Sequence, residues 1–515
     1  MAQAELFVFL LIAVAILAGL ARKLDVPYPV ALVIGGLAIG IAPGLPSPRL
    51  DPDVVFFAFL PPLLYSAAFL ASAYELRENA QPIGLLSIGL VLVTVVGIAA
   101  VAHWLIGVPW VAGFVLGAVL GPTDPVAATT VIRRLGAPNR IETILEGESL
   151  VNDGTGLTAY KVATAAAGAS VSIPGAAGKF VAIGLGGAAV GLAVGWIFSR
   201  LRAAIDDSLL DVVLSLLTPF AAYVPAEKVG ASGVLAVVTA GLLVGHRSLD
   251  ITEAETRLRT LSFWESLSFL LNSLLFLLIG LQLPSIVDRI QGSSHATLVG
   301  EALLIAGVTV AIRVVWMFTV PPLISALARV SRVEPSDTNA RERLVLGWSG
   351  MRGAVSLAAA LAIPDNVPQR DLLIALSFGV VVATLVIPSA TLATLVRRLG
   401  LGQGEERRRD EAEARARLAH VALGRLEEAA HEAPRSERAI DLLRARYETR
   451  LDAAESHSGS ADRGDAEALG EELLTAQRDD LGEMRRERAY PADLLRTLER
   501  ELDLEESRLR GRSRG

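Results

Sequence analysis

Thirteen apolar runs dominate the first 400 residues, and short polar stretches separate them. Several runs reach the length of about 20 residues that an α-helix needs to cross the hydrocarbon core of a membrane. Only helices and closed barrels satisfy all backbone hydrogen bonds in lipid, so repeated runs of this length predict a bundle of transmembrane helices. The runs cover residues 6–21, 29–44, 53–70, 83–106, 109–132, 143–167, 178–199, 207–224, 229–246, 261–283, 297–328, 342–363 and 371–396.

Composition agrees with an integral membrane protein. Hydrophobic residues make up 52% of the 515 residues and aromatic residues only 5%. No basic segment precedes the first run, so we predict a transmembrane span and not a secretory signal peptide. The chain contains no cysteine, which excludes disulfides and thiolate metal sites. No nucleotide-binding motif occurs, so the sequence favours a transporter driven by ion gradients, without a cofactor, over an enzyme.

Charge divides the chain into two predicted domains. Residues 401–515 hold 28 acidic and 22 basic residues with apolar positions at helical spacing, which predicts a soluble helical tail. We therefore expect a transmembrane domain over 1–398 and a cytosolic helical domain over 399–515. Most of the net charge of −7 belongs to this tail, so the charge gives no indication of a nucleic-acid partner. The tail is a candidate for regulatory contacts.

Basic residues are distributed unequally between alternate loops. Counted together with Lys179 and Arg343, which lie at the edges of two runs, one set of alternate loops holds 15 basic residues and the other set holds five. Cytoplasmic loops carry the excess of Lys and Arg, so the N-terminus is predicted outside and the tail inside. The cellular location expected for this multi-pass protein is a bacterial plasma membrane.

The order of the runs predicts an inverted repeat. The second run contains the sequence GLAIG at 36–40 and the ninth contains GLLVG at 241–245. If spans 1–6 repeat as 8–13, corresponding spans cross the membrane in opposite directions, as in many secondary transporters. The same pairing matches spans 5 and 12, and helix-breaking residues in both point to a binding site near the membrane midplane.

Span 5 contains the sequence GPTDPVAATT at 121–130. Pro125 has no N–H group and blocks the carbonyl group of Gly121, so the helix must break near Thr123 and Asp124. Free carbonyl groups in a membrane are tolerated only where they line a cavity or hold an ion. Asp124 either caps the second half of the helix or takes part directly in transport.

Span 6 begins with the sequence EGESLVNDGTGLTAYK at 146–161. Ser149 and Asp153 lie four residues apart and share one helical face, and Glu148 and Asn152 form the neighbouring stripe. Removal from water favours the protonated form of a carboxyl group, whereas a bound cation favours the ionised form. One carboxyl group can thus be a site for which a proton and a cation compete. The alternative is that these acids lie among the cytoplasmic headgroups.

Span 12 contains the sequence GWSGMRGAVSLAAALAIP at 347–364. Arg352 lies within this span and needs an anion, because an unpaired guanidinium group is costly in a membrane. Glu148 is the partner that we predict, with snorkelling to the surface as the alternative.

Arg313 in span 11 also requires a partner, which the sequence does not identify. Lys161 is expected to snorkel at the outer end of span 6.

Five motifs give the chain a specific resemblance. They are Pro61-Pro62 within FLPPLLYSAAF (59–69), Thr123-Asp124-Pro125, Asn152-Asp153, FWESLSFLLNSLLFLLIGLQL (263–283) and GMRGAVSLA (350–358). Together these motifs, over residues 6–398, resemble the monovalent cation:proton antiporter-1 family of bacterial sodium/proton exchangers. The resemblance implies an all-α polytopic homodimer of thirteen-helix protomers, in which broken helices 5 and 12 cross and the core moves in an elevator-like manner.

The resemblance also implies roles for individual residues. Asp153 would exchange the proton for the cation, with Ser149 and Thr123 assisting in cation coordination. Asn152 and Asp124 would stabilise the crossing, and Glu148 would pair with Arg352. The helix breakers would be Pro122, Pro125, Gly350 and Gly353.

One position departs from the family pattern. Many members carry an acid where this chain has Ser66, after Tyr65. A hydroxyl group carries no charge and is a weaker cation ligand than a carboxylate. Cation affinity, or selectivity for Na⁺ over K⁺, is therefore expected to differ at this site.

The sequence thus predicts a secondary antiporter that exchanges Na⁺ or Li⁺ for H⁺ and serves pH and sodium homeostasis. The resemblance implies electroneutral exchange, because Asn152 and not a second acid precedes Asp153. A K⁺/H⁺ antiporter of the same fold is the nearest alternative. A channel or an ion-sensing receptor is the alternative from a different class. The only metal expected is the transported monovalent cation, at Asp153.

Overall fold

The fold is known from a computed structural model of the chain. The structure describes residues 3–24, 26–42, 52–166, 173–205, 207–287, 295–330, 339–402, 405–432 and 437–455, with a few isolated positions after 455. These residues are almost entirely helical, and no strand occurs among them. Part of the predicted tail, most of it after residue 455, lies outside the described residues.

The first half of the membrane region contains helices α1–α8, and each of the first six predicted runs overlaps a helical segment. Helices α3 and α5 contain π-helical turns, at Val55–Phe59 in α3 and at Leu85–Leu90 and Ala102–Ile106 in α5. The bounds are Gln3–Leu24 (α1), Tyr28–Ile41 (α2), Pro52–Leu70 (α3), Ala73–Glu78 (α4), Ala80–Ile106 (α5), Trp110–Leu120 (α6), Val126–Arg134 (α7) and Asn139–Ala166 (α8).

The second half contains α9–α16, and the tail contains α17 and α18. The predicted runs 7–13 also overlap helical segments here. The bounds are Ile173–Ala203 (α9), Ser208–Lys228 (α10), Gly233–Ile251 (α11), Ala254–Val287 (α12), His295–Val330 (α13), Ala340–Trp348 (α14), Ala354–Leu361 (α15), Arg370–Arg398 (α16), Glu405–Glu432 (α17) and Glu437–Glu455 (α18).

Eight of the described helices are long and apolar enough to cross a membrane, and three shorter helices are also apolar. The chain is therefore a multi-span membrane protein. Thirteen crossings and a six-helix repeat stay predictions. Residues 1–402 and 403–515 form two compact units, and α17 packs against α18 within the second unit.

The membrane unit consists of two helical bundles, defined by which helices pack chiefly against one another. The first bundle contains α1, α2, α3, α9, α10, α11 and α12. The second bundle contains α5, α6, α7, α8, α13, α14, α15 and α16. Helix α8 also borders the first bundle, because Gly154 packs against Leu235 of α11.

The two glycine motifs pack reciprocally. A Cβ atom at Gly36 of α2 would collide with the backbone of α12, and one at Gly245 of α11 would collide with the backbone of α3. Small residues allow such close backbone approach between membrane helices. The first contact joins span 2 to span 10, and the second joins span 9 to span 3. The predicted repeat pairs span 2 with span 9 and span 3 with span 10, so it relates one contact to the other.

Candidate functional site

Two interrupted helices cross in the second bundle. Helix α6 ends at Leu120 and α7 begins at Val126, while α14 ends at Trp348 and α15 begins at Ala354. The Asp124 N–H group donates a hydrogen bond to the Met351 carbonyl oxygen at 2.8 Å. The non-helical segments contain the predicted breakers Pro122, Pro125, Gly350 and Gly353.

Asp124 caps a half-helix at this crossing. Its Oδ1 atom accepts a hydrogen bond from the Val126 N–H group at 2.9 Å, and its carboxylate also accepts from the Ala354 N–H group. The N-termini of α7 and α15, which carry partial positive charge, therefore both face this carboxylate. A Cβ atom at Gly353 would collide with the Asp124 side chain, so the close approach requires glycine.

Arg352 binds backbone carbonyl groups. Its Nε donates to the Leu120 oxygen at 3.0 Å, and Nη1 donates to the Gly350 oxygen. The side chain is 1% exposed. Carbonyl groups freed where α6 and α14 end lack helical partners, and this guanidinium group supplies donors to two of them.

Glu148 pairs with Arg313 and not with Arg352, so the predicted Glu148–Arg352 pair is wrong. Arg313 Nη2 donates to Glu148 Oε2 at 2.6 Å, and Nη1 donates to Oε1. Arg313 Nε also donates to the Leu346 carbonyl oxygen at 2.9 Å. The pairing follows from geometry, because Arg313 reaches both carboxylate oxygens while Arg352 is engaged by the free carbonyl groups of the crossing.

A chain of hydrogen bonds connects this ion pair to the crossing. The Thr123 hydroxyl group donates to Glu148 Oε1 at 2.8 Å. Asn152 Nδ2 donates to the Thr123 hydroxyl oxygen at 2.8 Å and to its carbonyl oxygen at 3.2 Å. Arg313, Glu148, Thr123 and Asn152 thus join α13, α8 and the segment between α6 and α7.

Asp153 has a different environment. It is 6% exposed, and among the described residues no hydrogen bond or ion pair reaches its carboxylate. Asp124 is close enough to repel its negative charge. Asn152 Oδ1 is also buried without a hydrogen-bond partner in the described part of the chain. Buried oxygen atoms without donors are suited to accept a cation or a proton.

Ser149 and Ser66 complete the predicted set of ligands. Ser149 is half-buried one turn before Asp153. The Ser66 hydroxyl group donates to the Leu63 carbonyl oxygen at 2.9 Å and accepts from Ser268 at 2.6 Å, so its contacts lie within the first bundle. Their roles in cation coordination stay predictions. The described residues contain no group of three His, Cys, Asp or Glu side chains arranged to hold a metal ion.

Sequence reasoning missed two features of this region. It identified Arg313 as a charge that needs a partner without finding Glu148, because several predicted runs contain acids and the sequence does not show which one Arg313 reaches. It also missed the hydrogen bonds of Ser268, since a serine in an apolar helix carries no distinctive signal.

The chain is similar to known proteins over most of its length. Residues 9–398 match the family described as sodium/hydrogen exchanger, transmembrane. The chain is 35% identical to an uncharacterized Na⁺/H⁺ exchanger of Mycobacterium bovis, over 98% of this chain and 95% of that protein. It is 33% identical to the Na⁺/H⁺ antiporter ApNhaP of Aphanothece halophytica, over 76% of this chain and 73% of that protein.

A solved structure shows the same fold. The sodium proton antiporter MjNhaP1 of Methanocaldococcus jannaschii superposes with a TM-score of 0.61 at 20% identity, over 78% of this chain and 100% of that chain. This likeness shows the fold, and the family match covers most of the chain. The chain therefore belongs to the transmembrane sodium/hydrogen exchanger family, a family of monovalent cation:proton antiporters.

Proposed function

We propose that this protein exchanges Na⁺ or Li⁺ for H⁺ across a bacterial plasma membrane, one for one, as a homodimer. The observation that carries the proposal is the buried Asp153 carboxylate, which lacks a partner in the described structure next to the crossing of two broken helices. A buried carboxylate is costly unless a proton or a cation neutralises it. Competition between these two ligands at one carboxyl group produces obligatory exchange.

The other charges near the crossing are already neutralised or hydrogen-bonded. Glu148 is neutralised by Arg313, and Asp124 accepts hydrogen bonds at a helix N-terminus. A single exchanging carboxyl group that binds either one proton or one monovalent cation moves no net charge in a full cycle. This arrangement supports electroneutral exchange.

Alternating access would follow from movement of the second bundle against the first. Asp153 belongs to α8, whose neighbouring residue Gly154 contacts α11 of the first bundle. The site therefore lies at the boundary between the bundles, where a shift of one bundle changes the side from which the site is reached. Asp153 would lose its proton to the cytoplasm, bind the cation, cross with the second bundle, release the cation outside and take up a proton there.

Cation coordination would use Asp153, Ser149, Thr123 and Ser66. The Thr123 hydroxyl oxygen donates one hydrogen bond and accepts one, which leaves one lone pair for a cation. Ser66 offers a neutral oxygen atom where many members of the family have an acid. This neutral ligand favours the second candidate function, K⁺/H⁺ exchange by the same mechanism, because fewer ionic ligands reduce the preference for the smaller ion.

The test uses purified protein in liposomes that contain a pH-sensitive dye. Addition of Na⁺, Li⁺ or K⁺ outside should change the internal pH, and a clamped membrane voltage should leave the rate unchanged. Asp153→Asn should fold normally and abolish the signal. Robust exchange by that variant contradicts the role of Asp153, and conductance without proton movement favours the channel alternative.

A further inference from the structure

An ion pair joins the two bundles at one end of the membrane unit. Lys161 Nζ of α8 lies 2.8 Å from both carboxylate oxygens of Glu227 in α10, and 3.4 Å from the Ala231 carbonyl oxygen. The lysine belongs to the second bundle and the glutamate to the first. Snorkelling of Lys161 stays a prediction, and the structure adds an acidic partner that the sequence did not identify.

Glu227 is held in place by the first bundle itself. Its Oε1 atom also accepts a hydrogen bond from the Gly233 N–H group at 3.0 Å, at the start of α11. The carboxylate is thus fixed between the end of α10 and the beginning of α11. Lys161 contributes the mobile half of the contact, since its side chain is long and flexible.

The pair lies on one side of the candidate cation site. Lys161 follows Asp153 by eight residues of continuous helix, which is about 12 Å along the axis of α8. Glu227 is the penultimate residue of α10. The distribution of basic loop residues predicts that this end of both helices faces the outside.

We propose that Lys161 and Glu227 form a clasp between the bundles, which holds the described state and must open in every transport cycle. This inference rests on the proposed function, because it requires that α8 moves relative to α10. A displacement beyond the reach of the lysine side chain separates the two charges. Pairs within one bundle, such as Arg202 and Asp211, stay together during the same movement.

Covalent cross-linking tests the clasp directly. The chain contains no cysteine, so Lys161→Cys with Glu227→Cys introduces the only two thiols. A short bifunctional methanethiosulfonate should link them in liposomes and reduce exchange more than tenfold, and dithiothreitol should restore it. Cross-linked protein that exchanges as fast as its reduced form overturns the proposal.

A matched pair provides the control. Ser208 of α10 and Thr256 of α12 both belong to the first bundle, and their hydroxyl oxygens lie 2.7 Å apart. Ser208→Cys with Thr256→Cys, linked by the same reagent, should leave the exchange rate unchanged. If both cross-linked proteins lose exchange equally, the loss comes from the chemical modification itself. That result overturns the clasp.

A double-mutant cycle tests the native side chains without a cross-link. Lys161→Gln and Glu227→Gln should each lower the external apparent KM for Na⁺ by about two- to fivefold, the effect of a partly exposed ion pair. The double variant should match either single variant. Unchanged or raised values, or additive effects, overturn the proposal. Wild-type protein that exchanges no cation contradicts the proposed function instead, so the two failures are distinguishable.

Discussion

Two adjacent stripes of helix α8 carry similar residues in opposite environments. Glu148 and Asn152 form one stripe, and their side chains bond to Arg313 and to Thr123 at the crossing. Ser149 and Asp153 form the other stripe, one residue further along, and within the described structure neither side chain has a hydrogen-bond partner. The rotation of about 100° between successive helical residues separates the two.

This difference indicates different roles for the two buried acids, Glu148 and Asp153. A buried carboxylate that is paired and fully hydrogen-bonded is part of the scaffold, and removing its partner leaves an uncompensated charge. A buried carboxylate without a partner becomes neutral only when it binds a proton or a cation. The paired stripe therefore connects the crossing to α8 and α13, whereas the unpaired stripe carries the carboxyl group that we propose to exchange the proton for the cation.

The largest expected effect on stability is the loss of the Arg313 side chain. Arg313→Ala leaves Glu148 buried without its counter-charge, which should destabilise the protein by about 3–5 kcal/mol. Thermal unfolding in detergent measures this loss. Adding Glu148→Gln to the variant should recover part of the stability, and a single variant of normal stability would contradict the scaffold role of the paired stripe.

A second effect concerns the crossing itself. Gly353→Ala places a methyl group against the Asp124 carboxylate, and overpacking of this kind costs about 1–3 kcal/mol. Gly300→Ala is the matched control, because a Cβ atom there has no neighbour within 4 Å. The apparent Tm should fall only for the variant at the crossing, and an equal Tm for both variants argues against tight packing there.

Thr123 tests the connection between α8 and the segment that joins α6 to α7. Thr123→Val removes the hydroxyl group that bonds Glu148 and Asn152, at a cost of about 1–2 kcal/mol. Thr123→Ser keeps the hydroxyl group and should keep most of the stability. The free energy of unfolding from denaturant titration separates the two variants, and identical values would show that the hydroxyl group contributes nothing.

The smallest expected effect on stability is at Ser66. Ser66→Ala removes two hydrogen bonds in the first bundle, which should cost about 1 kcal/mol. If the hydroxyl oxygen is also a cation ligand, Ser66→Ala should in addition raise the apparent KM for Na⁺ of the folded protein. An unchanged KM would remove Ser66 from the ligand set.

Sequence patterns predict much of this architecture because membrane helices and their interruptions have strong local causes. Apolar length identifies the helical segments, and Pro125 favours a break because it lacks an N–H group. Pro219 and Pro388 lie inside continuous helices, so a proline alone does not determine where a helix breaks. The choice of ion-pair partners is a tertiary property. Arg202 illustrates this limit, since it lies between the predicted runs 178–199 and 207–224 but is buried and donates to Asp211 at 2.7 and 2.8 Å.

Partners of buried charges depend on how helices distant in sequence approach one another. Glu148 and Arg313 are separated by 165 residues, and no periodicity relates them. Arg352 lies within the motif GMRGAVSLA, and the resemblance implied that it pairs with Glu148. The carbonyl groups freed by the helix breaks compete with carboxylates for guanidinium donors. The sequence alone does not show where these carbonyl groups point.

Proton release on cation binding tests the role of the unpaired stripe most directly. Purified wild-type protein in weakly buffered detergent solution, with a pH indicator, should release about one proton per bound cation on addition of Na⁺, because both compete for one carboxyl group. Asp153→Asn should release none, whereas Ser208→Ala should behave as wild type. Proton release by Asp153→Asn equal to that of wild type would contradict the assignment of Asp153 as the exchanging group.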